Sequence, residues 1–380
     1  MDLLDLHFRS EQGCDSSLIR LKRSKMAGDV LNFYRGSPQI FYAIWGSVKR
    51  RASPLGWLCG DAHWENVGSY KGKNHVAYFD FTDFDHGCLA PLDFDLGRAA
   101  TCLYLIGMGE LAGLFLSAYT KQTAAGKPYH IENEVAKGTV ARLLTKVQTR
   151  SQRRFMRQRM DGHRLLIDDE ETYALPPKEK REASAVFKKW AATTKDPSFF
   201  RLEDLCGSCT GLGILGHHRY LALVSGKKAR HIIDMKEAVP SAAAPFSGVR
   251  QPSWANDAER IAEVQRMIQY VPIARLGWTK GRGRSFVLSE YQPAEDRVDS
   301  LALSKGEYRD FAKQWGQLLA WSHLRGAGWR EAATTSELVT FASDFNAKKR
   351  RRLLARARAA AVRMRQLFEQ FRLLAPQDKK

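Results

Sequence analysis

The chain has 380 residues, of which 60 are Lys or Arg and 41 are Asp or Glu, a formal charge of +19. A hydrophobic content of 44% with 11% aromatics is enough for a folded core and excludes wholesale disorder, and the length suits two lobes better than one small domain. Six scattered cysteines argue against a disulfide framework, and Met1–Asp5 lacks the basic-then-apolar start of a secretory signal, so a cytoplasmic protein is expected.

In chain order, the first informative stretch is Gly60 to Asp83, GDAHWENVGSYKGKNHVAYFDFTD. Asp61 and Asn66 stand five positions apart, the D-x-x-x-x-N spacing of a kinase catalytic loop. Asp80 follows fourteen positions later, on an apolar run (His75–Phe79) that reads as a strand. The pattern suits phosphoryl transfer: Asp61 faces an acceptor hydroxyl, while Asn66 and Asp80 hold magnesium between the phosphates. His63, the second candidate catalytic residue, either orients the loop through a backbone hydrogen bond or serves as a base, the first being preferred because Asp61 already has that role. Asp83 and Asp85 either extend the metal site or cap the following turn, with Asp83 preferred. Arg35 either contacts substrate or phosphate or locks the loop through Asp93 or Asp95. An Asp–Asn pair at this spacing arises by chance about once in a chain of this size, so the loop needs support from elsewhere.

Thr101–Tyr119 is the longest apolar run, but Glu110 at its centre argues for a buried helix rather than a membrane span. Arg150–Arg159 is a basic block, read either as a solvated face or as an electrostatic surface. Cys206 and Cys209 form a C-x-x-C with no second pair for zinc, and packing is a simpler reading than a redox gate. Gly211, Gly213 and Gly216 make a G-x-G-x-x-G, followed by the strand-like Tyr220–Val224, a turn at Ser225–Lys228, and Ile232–Met235 ending at Lys236. A dinucleotide-binding turn needs a helix directly after the glycines. This strand context favours a kinase phosphate cradle, with Lys236 pairing with phosphate oxygens. A helix over Asn256–Tyr270, capped by Asn256 or Asp257, offers Glu263 or Glu259 as the partner of Lys236. Strands over Ala274–Trp278 and Ser285–Tyr291 flank a turn at Thr279–Arg284 and lead to Glu290–Ala294, the expected hinge beside adenine. Tyr308–Arg325 and the arginine-rich Ala347–Leu374 read as helices.

These blocks resemble the bacterial family called domain of unknown function 2252. The likeness is carried by Phe33-Tyr34-Arg35-Gly36, Gly60–Asn66, the acidic Phe79–Asp85, Asp95–Ala99, the glycine loop and Lys236-Glu237-Ala238. Ala27-Gly28-Asp29 departs from the family's Ser-Pro turn, and Thr82 stands where Asn or Asp is usual. The loop is also similar to the His-Gly-Asp-x-His-x-x-Asn element of aminoglycoside and choline kinases. The resemblance implies a kinase-like fold and a nucleotide site, with Asp95 holding the backbone of the catalytic loop.

Here the glycine loop follows the catalytic loop, the reverse of ordinary kinases, so a circular permutation is expected. Residues 1–52 form an N-terminal helical segment, 53–199 a helical catalytic lobe and 200–296 a small β-rich nucleotide lobe. Residues 297–346 return to the helical lobe, and 347–380 are a basic helix and tail. The expectation is an α+β, two-lobed, circularly permuted kinase-like enzyme that uses ATP and Mg2+ to phosphorylate a hydroxyl of an unidentified small molecule, for which the basic surface suggests an acidic character. Two alternatives stand open: AMP transfer from a reversed nucleotide, and ATP binding without turnover by a regulatory protein that engages an acidic partner through its basic helices. Nucleic acid is a lesser alternative, because no recognition motif accompanies the charge.

Overall fold

Strand-forming segments between residues 172 and 291 pair into a six-stranded antiparallel sheet in the computed structural model, which describes residues 2–47, 53–168, 170–226, 229–299 and 303–374. From one edge the order is Gly277–Gly281, Arg284–Tyr291, Arg230–Glu237, Arg219–Ser225, Arg201–Ser208 and Thr172–Tyr173. The segment expected as a strand at Ala274–Trp278 starts three residues later and runs to Gly281. The cause is the turn: Arg282 and Gly283 both take positive φ, 56° and 75°, so a two-residue hairpin loop extends pairing to Gly281 opposite Arg284. The expected turn at Ser225–Lys228 falls partly on Lys227 and Lys228, which lie outside the described residues.

Side chains alternate across this sheet, and both faces are covered. Ala222, Val224, Ile233, Met235 and Leu288 pack against Phe187 and Trp190 of the helix Pro177–Ala192. That helix was expected in the helical lobe, but it belongs with the sheet. On the other face Cys206, Leu221, Leu223 and Ile232 meet Phe155 and Met156 of the short helix Gln152–Arg157.

The helical part has its own core. The run Thr101–Tyr119 is not one helix: Asp93–Leu105 ends before Gly107, whose φ is 79°, and Ala112–Ala125 begins after a 3₁₀ turn containing Glu110. No described helix is long and apolar enough to cross a membrane. Ala112–Ala125 packs on Lys305–Arg325, where a Cβ at Gly316 would collide with the Phe115 carbonyl, so the two backbones close on a glycine. A capping box, Ser304 with Glu307, starts that helix.

The basic helix Ala347–Leu374 is integral to the helical core, burying Leu353, Ala357, Met364, Leu367, Phe368 and Phe371. Several of its cations are spent on the fold: Arg356 pairs with Asp93 at 3.1 Å and lies 3.8 Å over the Trp45 ring. Phe371 meets Phe33 at a centroid distance of 5.1 Å and His7 at 5.9 Å, tying both termini together. Phe371→Ala is therefore expected to cost about 3 kcal/mol, read as a lowered midpoint in urea unfolding; an unchanged midpoint would mean that the helix is peripheral.

Candidate active site

The loop carrying Asp61 is set by buried hydrogen bonds. Asp95, fully buried on the first turn of Asp93–Leu105, accepts the Cys59 N–H at 2.9 Å and the Gly60 N–H at 3.2 Å. His323 of Lys305–Arg325 lies 3.3 Å from the same carboxylate. Gly60 has φ of 80°, and a Cβ there would strike the His86 carbonyl, so the loop turns where only glycine fits. Asp61 then meets Arg98 at 2.8 Å. Arg98 is itself fully buried, stacks 3.6 Å from the Tyr34 ring centroid and donates to the Tyr34 carbonyl at 2.8 Å. Burial alone would raise the Asp61 pKa, but the guanidinium outweighs it and holds the carboxyl far below the ordinary range. His63 sits 3.5 Å from Asp61, and its Nδ1 accepts the Glu65 N–H at 3.1 Å, so it orients the loop.

Asn66 staples this loop to the acidic turn that follows. Its amide donates to the carbonyls of Asp61 and Asp83, at 2.8 and 3.0 Å, and its oxygen accepts the Asp83 N–H at 2.8 Å. The oxygen expected to hold a metal is thus already engaged within the protein.

Lys236 and Asp80 do not meet. The strand Ala77–Phe81 continues past Asp80, which makes it an interior strand position. Its carboxylate is 98% shielded and pairs with Arg325 at 2.7 Å, while also accepting the Phe81 and Tyr270 N–H groups. The acids that reach Lys236 come from the turn beyond the strand: Asp83 at 3.2 Å and Asp85 at 2.5 Å. Burial opposes ionisation of both. Lys236 prevails at Asp83, whose carboxyl is held low, whereas burial and the neighbouring Asp83 push Asp85 up. Asp85, ranked below Asp83 on sequence, is as much a part of the cluster.

Glu263 is not the partner of Lys236. It pairs with Arg266 on its own half-exposed helix face. The helix Asp257–Ile268, capped by Asn256 as expected, contributes Arg260 instead, which donates to the carbonyls of Asp85, Gly87 and Val239 and fixes the acidic turn. No signal in the spacing marked Arg260. His86 was likewise missed; its ring accepts the Ala242 N–H at 3.2 Å beside the Asp61 loop.

The glycine loop lies between Arg201–Ser208 and Arg219–Ser225, with Gly211 and Gly216 at φ of 86° and 103°. The helix Ser16–Gly28 covers its far side: Lys22 donates to the Gly213 carbonyl at 3.0 Å, and Asp15 donates to Gly216. Thr210, Gly211 and Leu212 open on a cleft of roughly 1020 Å³, whose lining also includes Tyr291, Gln292, Pro293 and Glu295–Arg297. Part of the basic block at 150–159 reaches this cleft, while Arg153 and Arg157 are exposed away from it. Arg150, Arg154 and Arg159 line the cleft, Arg150 donates to the Pro293 carbonyl, and Arg159 lies 4.0 Å over Phe155. Cys206 and Cys209 are free thiols, buried beside these elements, with Cys206 pushed up to about 12 by burial. Packing explains them without redox chemistry.

The family model described as an uncharacterised protein conserved in bacteria, domain of unknown function 2252, matches residues 14–374, and the chain belongs to that family. No curated protein and no solved structure matches it.

Arg98→Met would leave the Asp61 carboxylate half-desolvated with its main partner gone, at a cost on the order of 3 kcal/mol. Without Arg98, burial dominates and the folded-state pKa of Asp61 rises above its unfolded value. The variant's deficit should then shrink as pH falls from 7 towards 4, in urea unfolding at several pH values. A deficit that is constant with pH would contradict this account.

Proposed function

We propose that the chain is an ATP-dependent phosphotransferase with a permuted kinase-like fold, acting on a hydroxyl of a small molecule. The observation that carries this reading is the meeting of Lys236 with Asp83 and Asp85 across the junction between sheet and helical core. Around it stand the other parts that phosphoryl transfer requires: a glycine turn, the lysine strand, a connecting segment lining the cleft, and a carboxylate on a rigid loop.

Asp61 stays ionised beside Arg98, so its task is to receive and orient the acceptor hydroxyl rather than to act as a strong base. Lys236 and the Gly211–Gly216 turn grip the phosphates. Among the described residues no cluster of three or more His, Cys, Asp or Glu side chains is assembled for a metal. Magnesium in such sites needs only one or two carboxylates plus phosphate oxygens, and Asp83 with Asp85 fits that donor set. When bound, the ion would neutralise phosphate charge. Lys236 pairs with both carboxylates and offsets part of their charge.

One feature favours a second reading, AMP transfer. Arg219 pairs with Asp234 at 2.6 Å and lines the cleft. Asp234 lies two positions before Lys236 on the same strand face, so the wall above the cleft is ionic where a purine would prefer an apolar one. A reversed nucleotide would bring its phosphates to that wall.

Incubation with γ- or α-labelled ATP and a metabolite pool decides between them. Transfer of γ label alone is expected; α label on the product indicates AMP transfer, and no label on any product would refute both. Asp83→Asn and Lys236→Ala should each lower turnover by roughly 100-fold or more. Asp80→Asn, with Arg325 as its partner, should mainly lower the unfolding midpoint. Full turnover in the Asp83 and Lys236 variants would remove the site.

A further inference from the structure

The cleft carries more positive charge than a nucleotide grip requires. Seven of its lining side chains are Lys or Arg and three are Asp or Glu, while Lys236 is not among them. Two of the arginines are built into the catalytic loop's surroundings. Arg35 pairs with Glu65 at 2.6 Å, and Arg297 approaches the same Glu65 oxygen at 4.0 Å. Glu65 lies in the 3₁₀ turn Trp64–Asn66, between Asp61 and the Asn66 staple. The expected partners of Arg35, Asp93 and Asp95, are occupied elsewhere, by Arg356 and by the loop amides.

One carboxylate oxygen is shared by two guanidinium groups; Asp83 and Glu295 also act on Arg297, but Asp83 is matched by Lys236 and burial pushes Glu295 up to about 8, which leaves a positive excess. The Arg35 Nε is buried and has no hydrogen-bond partner, although the side chain lines the cleft. The stem of Arg297 crosses Gly68 and Thr82: a Cβ at Gly68 would sit 2.6 Å from the Asp296 carbonyl and 3.5 Å from both Arg297 Cγ and Thr82 Cγ2. The tight approach is that of the Asp296 carbonyl, so a glycine at 68 admits the backbone that carries Arg297 past the strand leading to this site. The fork belongs to the Asp61 side of the site, whereas Lys236 and the glycine turn belong to the sheet side.

We propose that Arg35 and Arg297 bind a phosphate group carried by the acceptor, so that the substrate is a phosphorylated alcohol; this rests on the phosphotransferase reading. Two planar guanidinium groups match the oxygens of a phosphomonoester dianion, which their shared Glu65 only partly balances. The volume supports a second ligand: roughly 1020 Å³ stands at the upper end of the range for a single bound small molecule.

Calorimetric titration of the full-length protein tests this, with inorganic phosphate and glycerol 3-phosphate as probes, each with and without a saturating non-hydrolysable magnesium–ATP analogue. Both probes should bind with the analogue present. Arg35→Gln/Arg297→Gln should weaken them about tenfold or more while changing analogue affinity by less than about threefold. Arg297→Gln alone, at a half-exposed position, gives a smaller loss in the same direction and serves if the double variant is misfolded. Absence of probe binding, or displacement of the probes by the analogue, overturns the proposal. So does equal weakening of probe and analogue, which would assign the fork to the nucleotide's own phosphates. The nucleotide reading fails separately, if Lys236→Ala leaves analogue affinity unchanged.

Discussion

A single ammonium group joins two parts of the chain 153 positions apart: Lys236 on the sheet and Asp83 on the turn after the Ala77–Phe81 strand. The bridge has a clear physical source. Two carboxylates two residues apart, one of them almost fully buried, repel each other and resist desolvation unless a cation is supplied. The strand Arg230–Glu237 supplies it. Everything that positions the turn and the strand therefore contributes to the site, including Asn66, which staples the turn to the Asp61 loop, and Arg260, which binds its carbonyls.

Beneath the bridge lies a second layer of buried charge. Asp95, Arg98 and His323 have no exposed side-chain surface, a placement that is costly unless each polar group is satisfied. Asp95 is satisfied by two loop amides and His323, whereas Arg98 meets Asp61, the Tyr34 carbonyl and the Tyr34 ring but leaves its buried Nη1 without a hydrogen-bond partner. The geometry of the Asp61 loop is thus determined by contacts far from solvent. Breaking any one of them leaves a charge stranded rather than a gap, which is why a small change in the core can be felt at the site.

Much of this was legible in the residue pattern. The Asp61–Asn66 loop, the glycine turn between strands and the helices at 305–325 and 347–374 all have local signatures: fixed spacing, β-branched runs, caps and apolar periodicity; the Asp95 clamp was implied by the family resemblance. What escaped was set by register and by distant partners. Asp80 looked like the end of a strand, but pairing with Val67–Lys71 extends that strand to Phe81 and turns the carboxylate towards Arg325. Glu263 sat on the right helix, yet helical phase gave it to Arg266 and brought Arg260 to the acidic turn. The arginines at 150–159 read as either a solvated face or an electrostatic surface, and Arg153, Arg154 and Arg157 are indeed exposed. That Arg150, Arg154 and Arg159 also line the cleft follows from Phe155 and Met156 packing on the sheet, a contact that no local pattern announces.

The most direct test of the bridge as a phosphate grip is lysine-directed labelling with an acyl-phosphate derivative of ATP, followed by peptide mass spectrometry. The account predicts acylation of Lys236 that is suppressed by excess magnesium–ATP and lost when Asp83 and Asp85 are both changed to Asn. Labelling confined to other lysines, with Lys236 unmodified in the folded protein, would contradict it.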